Sequence, residues 1–170
     1  MVPDCVPGVL TELGILSLCI QRMPKKPGWA FQPMTACPYL SVCSPSTHDM
    51  ATLREWWEED GPRRQQFYND VLGRAGEAPA FCEPWVVREI VMQHLYAPSL
   101  WAVFPIQDLL GMDEALRRKD PRDERINVPS HPEHYWRYRL HLTLEALAEA
   151  REFSERLRNM VTASGRHAAY

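Results

Sequence analysis

Apolar and polar positions alternate in blocks along the chain, with proline and glycine marking the joints. Val9 to Leu13 reads as the end of a short helix, closed by Gly14. ILSLCIQRM is apolar almost throughout and predicts a buried strand, and YLSVC predicts a second. Between them lies PKKPGWAFQPMTACP, a long proline-bounded loop. ATLREWWEED has helical spacing with Leu53, Trp56 and Trp57 on one side. Gly61-Pro62 interrupts it, and RRQQFYNDVLG predicts a second helix ending at Gly73. WVVREIVMQHLYA is amphipathic, with Val86, Val87, Ile90, Val91 and Leu95 as its apolar face. SLWAVFPIQDLLG predicts a third strand with a polar end at Gln107-Asp108. The run LTLEALAEAREFSERLRNMV predicts one long helix with Leu144, Leu147, Phe153, Leu157 and Met160 inward.

Three short apolar strands separated by helices predict parallel βα units and an α/β fold. In such folds the carboxyl ends of the strands carry the chemistry. SPSTHD after the second strand and Gln107-Asp108 after the third are therefore the first places to look. Three strands alone leave two hydrophobic outer edges open, which is a liability. The pattern predicts that these residues form part of something larger.

Composition narrows the picture. At 170 residues, 45% hydrophobic and 24% charged, the chain suits one globular domain. A net charge of −3 with no basic stripe argues against nucleic acid and anionic membrane as partners. The five cysteines are odd in number and form no C-x-x-C pair, which predicts free thiols in a reducing, cytoplasmic setting. No basic region precedes an apolar run at the N-terminus, so no signal peptide is expected. No apolar run approaches the roughly 20 residues needed to span a bilayer.

His48-Asp49 is the best local signal for chemistry. The carboxylate suits a nucleophile, an acid or a charge stabiliser, and the histidine can donate to a ligand hydroxyl. The plain alternative is that Ser46, Thr47 or Asp49 caps the following helix. His131, His134 and His141 do not match a metal-ligand spacing, and no cysteine or carboxylate cluster joins them, so no metal is expected. Glu58, Glu59 and Asp60 read as a solvated helix end. INVPSHPEHYWRYRL is either a proline-stiffened connection anchored by Trp136 or a functional loop at a strand end.

Four blocks resemble one known family, the 4-α-glucanotransferases (amylomaltases, disproportionating enzymes) of glycoside hydrolase family 77. MVPDCVPGVLTELGILSLCIQRMPK is similar to the segment after the family's Glu-Asp-Leu-Gly motif. YLSVCSPSTHDMATLREWWEED resembles its Thr-His-Asp region and the helix beyond. LWAVFPIQDLLG resembles its last barrel strand. DERINVPSHPEHYWRYRL resembles Arg-Met-Asn-x-Pro-Gly followed by Asn-Trp-x-Trp-Arg. The blocks stand in family order and span almost the whole chain. Ser130 departs from the usual Gly, and Tyr135 and Tyr138 stand where Asn and Trp are frequent, while Trp136 and Arg139 match. His131 and His134 have no counterpart in the pattern.

The resemblance implies the C-terminal part of a TIM (β/α)8 barrel over residues 1–170, with about three strands and the N-terminal ones missing. It implies retaining transfer of α-1,4-glucan segments between maltooligosaccharides, with no metal or organic cofactor. A retaining enzyme needs two carboxyl groups about 5–5.5 Å apart. By resemblance Asp49 is a third carboxylate that stabilises the oxocarbenium-like sugar, and His48 contacts that sugar. Gln107, Asn127 and Trp136 are expected near the substrate cleft. The positions matching the family's nucleophile and acid/base fall before Met1, so this chain alone is expected to be inactive. The alternative is a non-catalytic α-glucan-binding or interaction fragment.

Overall fold

The computed structural model describes residues 3–133 and 136–166. The chain runs α1 (Val6–Glu12), β1 (Ser17–Ile20), β2 (Ser41–Ser44), α2 (Leu53–Glu59), α3 (Gly61–Asp70), α4 (Pro84–Leu95), β3 (Trp101–Ala102), α5 (Ile106–Leu110), α6 (Leu144–Glu149) and α7 (Arg151–Ala163). The three strands pair in parallel in the order β1-β2-β3. This is the α/β pattern expected from the apolar blocks, with β2 at the centre.

The pleat sorts the strand residues by face. Cys19 pairs with Cys43 and Cys43 with Ala102, and this row packs with Met34, Cys37 and Ala97. The alternate row is Leu18, Val42 and Trp101. On this side Leu18 is 52% and Trp101 59% exposed. One face of the sheet is therefore packed and the other is open and apolar.

Helix α4 is the centre of the larger core. Val86, Val87, Ile90 and Val91 are fully buried, as their spacing predicts. Leu53 and Trp57 of α2, Phe67 of α3, and Phe153 and Met160 of α7 close around them. Pro84 starts α4, where the missing N–H costs nothing. Gly14 follows α1 with φ at +63°, the left-handed region that glycine adopts freely.

Three predicted elements differ from the structure. The third apolar run is not one strand: β3 covers only two residues, and Ile106–Leu110 is the helix α5. Pro105 lacks the N–H a ladder needs and stands as the N-cap of α5 instead. Gln107 and Asp108 thus lie in the first turn of a helix, both buried. The predicted C-terminal helix is two helices, broken at Ala150, whose ψ is +63°. Leu144 is exposed rather than inward. The break lets Leu147 and the Phe153–Met160 face both pack on the core, and this packing outweighs alanine's preference for helix. Finally, the N-cap of α2 is Thr52, which accepts from the Glu55 N–H, and not Ser46, Thr47 or Asp49.

Candidate functional site

The residues after β2 are held from three sides. Pro45 and Ser46 are buried at the strand's carboxyl end. From the turn after β1, the Arg22 guanidinium donates to the carbonyls of Pro45 (3.2 Å), Ala51 (2.7 Å) and Thr52 (3.5 Å). Its plane sits over the Trp56 ring at 5.2 Å. Burial lowers the Arg22 pKa to about 10, so the side chain stays cationic at neutral pH. From α5, Asp108 accepts from the Ser46 hydroxyl and, at 2.9 Å, from the Leu53 N–H. Burial raises the Asp108 carboxyl, while the Ser46 and Leu53 donors pull it back down. Between these braces the chain turns outward, and His48 and Asp49 reach solvent, each 52% exposed.

A second set of bonds brings in the loop after α5. Gln107 donates to the backbone carbonyl of Glu124 at 3.1 Å. The Glu124 carboxylate pairs with Arg54 of α2 and accepts from the Thr52 hydroxyl at 3.2 Å. Arg125 donates to Glu55 at 2.9 Å and to the Asn127 carbonyl at 3.3 Å. This lattice ties residues 124–127 to the start of α2. It ends in a direct bond, Asn127 Nδ2 donating to Asp49 Oδ1 at 2.7 Å. The other Asp49 oxygen lies 3.1 Å from His48 Nε2. The Trp136 ring packs against the His48 ring, centroids 4.8 Å apart and tilted by 45°.

His48, Asp49, Asn127 and Trp136 thus form one cluster at the carboxyl end of the central strand. Its chemistry is a carboxylate aimed by an amide, an imidazole beside it, and an exposed indole face. That set can offset positive charge, donate to hydroxyls and stack on an apolar ring face. Gln107 stands apart from the cluster: it is buried, and its side chain holds the loop backbone. Arg22, Arg54 and Glu124 were not singled out by sequence spacing. A lone arginine after an apolar run carries no motif, and the Arg54–Glu124 pair joins residues 70 apart.

His141 Nε2 lies 2.8 Å from the Leu116 carbonyl, and His131 is exposed. His134 and Tyr135 lie outside the described residues. Among the described residues no group of three or more His, Cys, Asp or Glu is placed to hold a metal ion. The five cysteines are free thiols. No described helix is long and apolar enough to cross a membrane.

The model of glycoside hydrolase family 77, the 4-alpha-glucanotransferases, matches residues 1–144. The chain belongs to this family. It is 46% identical over 166 residues to the 4-alpha-glucanotransferase DPE2 of Oryza sativa subsp. japonica, covering 98% of this chain and 18% of that protein. It is 30% identical over 138 residues to a 4-alpha-glucanotransferase of Chlamydia trachomatis, covering 78% of this chain and 26% of that one. In fold it resembles an amylomaltase from Streptococcus agalactiae solved with acarbose, with a TM-score of 0.73 at 16% identity, over 99% of this chain and 31% of that one. The 170 residues therefore span only 18% to 31% of the length of these proteins.

Proposed function

We propose that these residues are the C-terminal part of a (β/α)8 barrel and form one wall of a 4-α-glucanotransferase active site. The full-length protein would break an α-1,4 bond in a maltooligosaccharide, hold the glucan covalently, and pass it to the hydroxyl of another sugar with retention of configuration. The double displacement runs on carboxyl groups, and calls on no metal or organic cofactor. The nucleophile and the acid/base would come from the part of the full-length protein outside residues 1–170. A cytoplasmic location fits the free thiols.

The observation that carries this reading is the Asp49 carboxylate, exposed at a strand's carboxyl end with one oxygen held by Asn127 and the other beside His48. An oriented carboxylate stabilises positive charge as it develops, because its dipoles need no rearrangement when the charge appears. His48 would donate to a sugar hydroxyl, and Trp136 would offer its face to a pyranose ring. Gln107 would act on the cleft through the loop that carries Asn127, not by touching sugar.

The test is turnover of maltotriose by the full-length protein, followed as release of glucose together with longer oligosaccharides. Asp49→Asn should lower kcat by roughly 10²-fold or more, the scale for losing one oriented electrostatic group. Trp136→Ala should act mainly on KM. Undiminished turnover by Asp49→Asn would overturn the assignment. The 170-residue chain alone should show no turnover.

A further inference from the structure

The connection from β1 to β2 is unusual for a parallel sheet. Residues 21–40 contain no α-helix, only a 3-10 turn at Met34–Ala36. In a βαβ crossover a helix ordinarily covers the sheet here. Its place is taken by a loop, and a cavity of about 730 Å³ opens between that loop and the C-terminal ends of α3 and α4. This lies within the range of small-ligand pockets, ~300–1,000 Å³. None of its lining residues belongs to the His48–Asp49–Asn127–Trp136 cluster.

The lining mixes apolar side chains, among them Phe31, Met34, Val71 and Met92, with aromatic and polar ones. Trp29 and Tyr96 contribute aromatic surface: Lys26 Nζ lies over the Trp29 ring at 4.9 Å, which leaves one face of the indole to a ligand, and Tyr96 is 57% exposed with its hydroxyl on the Ala163 carbonyl. Gln66 and Asp70 stand four residues apart on α3, so their heads share one side of the helix. No hydrogen bond from either side chain to another described residue occupies them. Behind them, Gln21 donates to Gln93 at 2.6 Å and Gln93 donates to the Val71 carbonyl at 3.3 Å, which fixes both amides. Gln21 is only 2% exposed, yet its Oε1 has no hydrogen-bond partner. Uncharged amides, one carboxylate and aromatic faces suit a neutral ligand rich in hydroxyls, with apolar C–H faces to stack. Asp70 disfavours an anion in the same place.

We propose that this groove is a second saccharide site, binding a short length of α-glucan with a sugar ring against Trp29 and hydroxyls on Gln66 and Asp70. The choice of α-glucan rests on the proposed function; the site itself does not. It would hold a glucan away from the reacting carboxylates and raise the local concentration of chains near them.

The test is calorimetric titration with maltoheptaose of the 170-residue chain carrying Leu18→Lys and Trp101→Lys, which put charge on the open sheet face and hold the chain monomeric. Four forms are compared on this background: wild type elsewhere, Trp136→Ala, the Gln66→Ala/Asp70→Ala double variant, and Trp29→Ala. Gln66 and Asp70 are not buried, so the double variant should keep the wild-type thermal unfolding curve. Binding should survive Trp136→Ala and weaken at least tenfold in the double variant and in Trp29→Ala. Absence of binding by wild type, loss of all binding in Trp136→Ala, or wild-type affinity in a folded double variant would each overturn the proposal. Turnover of maltotriose by the full-length protein tests the catalytic reading separately, since neither groove variant touches Asp49.

Discussion

Asn127 and Asp49, 78 residues apart in sequence, are joined by a direct 2.7 Å hydrogen bond. The donor rides on a loop fixed by buried groups, and the acceptor rides on the tip after β2. Removing the amide leaves Asp49 exposed and able to rotate. Asn127→Ala in the full-length protein should therefore lower kcat by roughly 10- to 100-fold, matching ~1.5–3 kcal/mol for a hydrogen bond to a charged group. Asn127→Asp should lower it at least as far, since a second carboxylate beside Asp49 repels it. Steady-state kinetics on maltotriose check both. Equal kcat in Asn127→Ala and wild type would show that the bond does not position Asp49.

Asp108 should matter for a different reason. It is fully buried and accepts from both Ser46 and the Leu53 N–H, so it anchors the base of the tip to the start of α2. Asp108→Ala strands two buried donors, at a cost of roughly 1–3 kcal/mol each. Urea denaturation of the 170-residue chain, at one dilute protein concentration for all forms, should show a loss of several kcal/mol, with the midpoint moved and the slope unchanged. Asp108→Asn can still accept through its amide oxygen and should lose less. If both variants unfold at the wild-type midpoint, the anchor is not structural.

The parts of this arrangement were unequally legible in the sequence. Helix α4 was plain because five apolar positions at helical spacing can face only one way. His48-Asp49 stood out because polar residues at the end of an apolar strand are unusual in themselves. The Pro105–Gly111 stretch is ambiguous in the sequence, since a short apolar run serves a strand or a buried helix equally well and only the surrounding packing decides for the helix. The Arg54–Glu124 and Asn127–Asp49 pairings had no local signal at all. Pairings across 70 or more residues are made by the fold, and no spacing rule reaches them.

Acid should destabilise the protein through His94. Its ring is fully buried, with Nδ1 2.8 Å from the Ile90 carbonyl, and burial lowers its pKa from 6.5 to about 4. Below the unfolded value the unfolded chain binds a proton that the folded chain refuses. Stability is therefore lost as pH falls from about 6.5 toward 4, by roughly 1.4 kcal/mol for each unit of separation. Comparing unfolding free energies at pH 7 and pH 4.5, His94→Gln should reduce the acid loss by about 2–3 kcal/mol relative to wild type. Parallel pH profiles for the two proteins would show that His94 does not titrate this way. Glu124 acts in the opposite sense. Burial raises its carboxyl to about 7, against the pull of Arg54, so its ionisation opposes folding as pH rises from about 4.5 to 7. Glu124→Gln should accordingly remove the loss of stability between about pH 4.5 and 7, read from unfolding free energies at those two pH values, whatever its cost at a single pH.

The open face of the sheet sets the solution behaviour of the 170-residue chain. Leu18, Val42 and Trp101 form one apolar row in register across all three strands. Leu18 and Trp101 are more than half exposed, and among the described residues β1 and β3 each have one unpaired edge. In a closed barrel such a row would lie inside, packed against the inward side chains of the other strands. In the chain by itself it invites association, by the apolar face and by the edges together. Sedimentation velocity should show species that grow with concentration. Leu18→Lys with Trp101→Lys places charge on the face without touching the buried Cys19–Cys43–Ala102 side, and should shift the distribution toward monomer. A wild-type chain that stays monomeric at every concentration, with a cooperative melt, would mean that the three strands do not need the rest of a barrel to cover them.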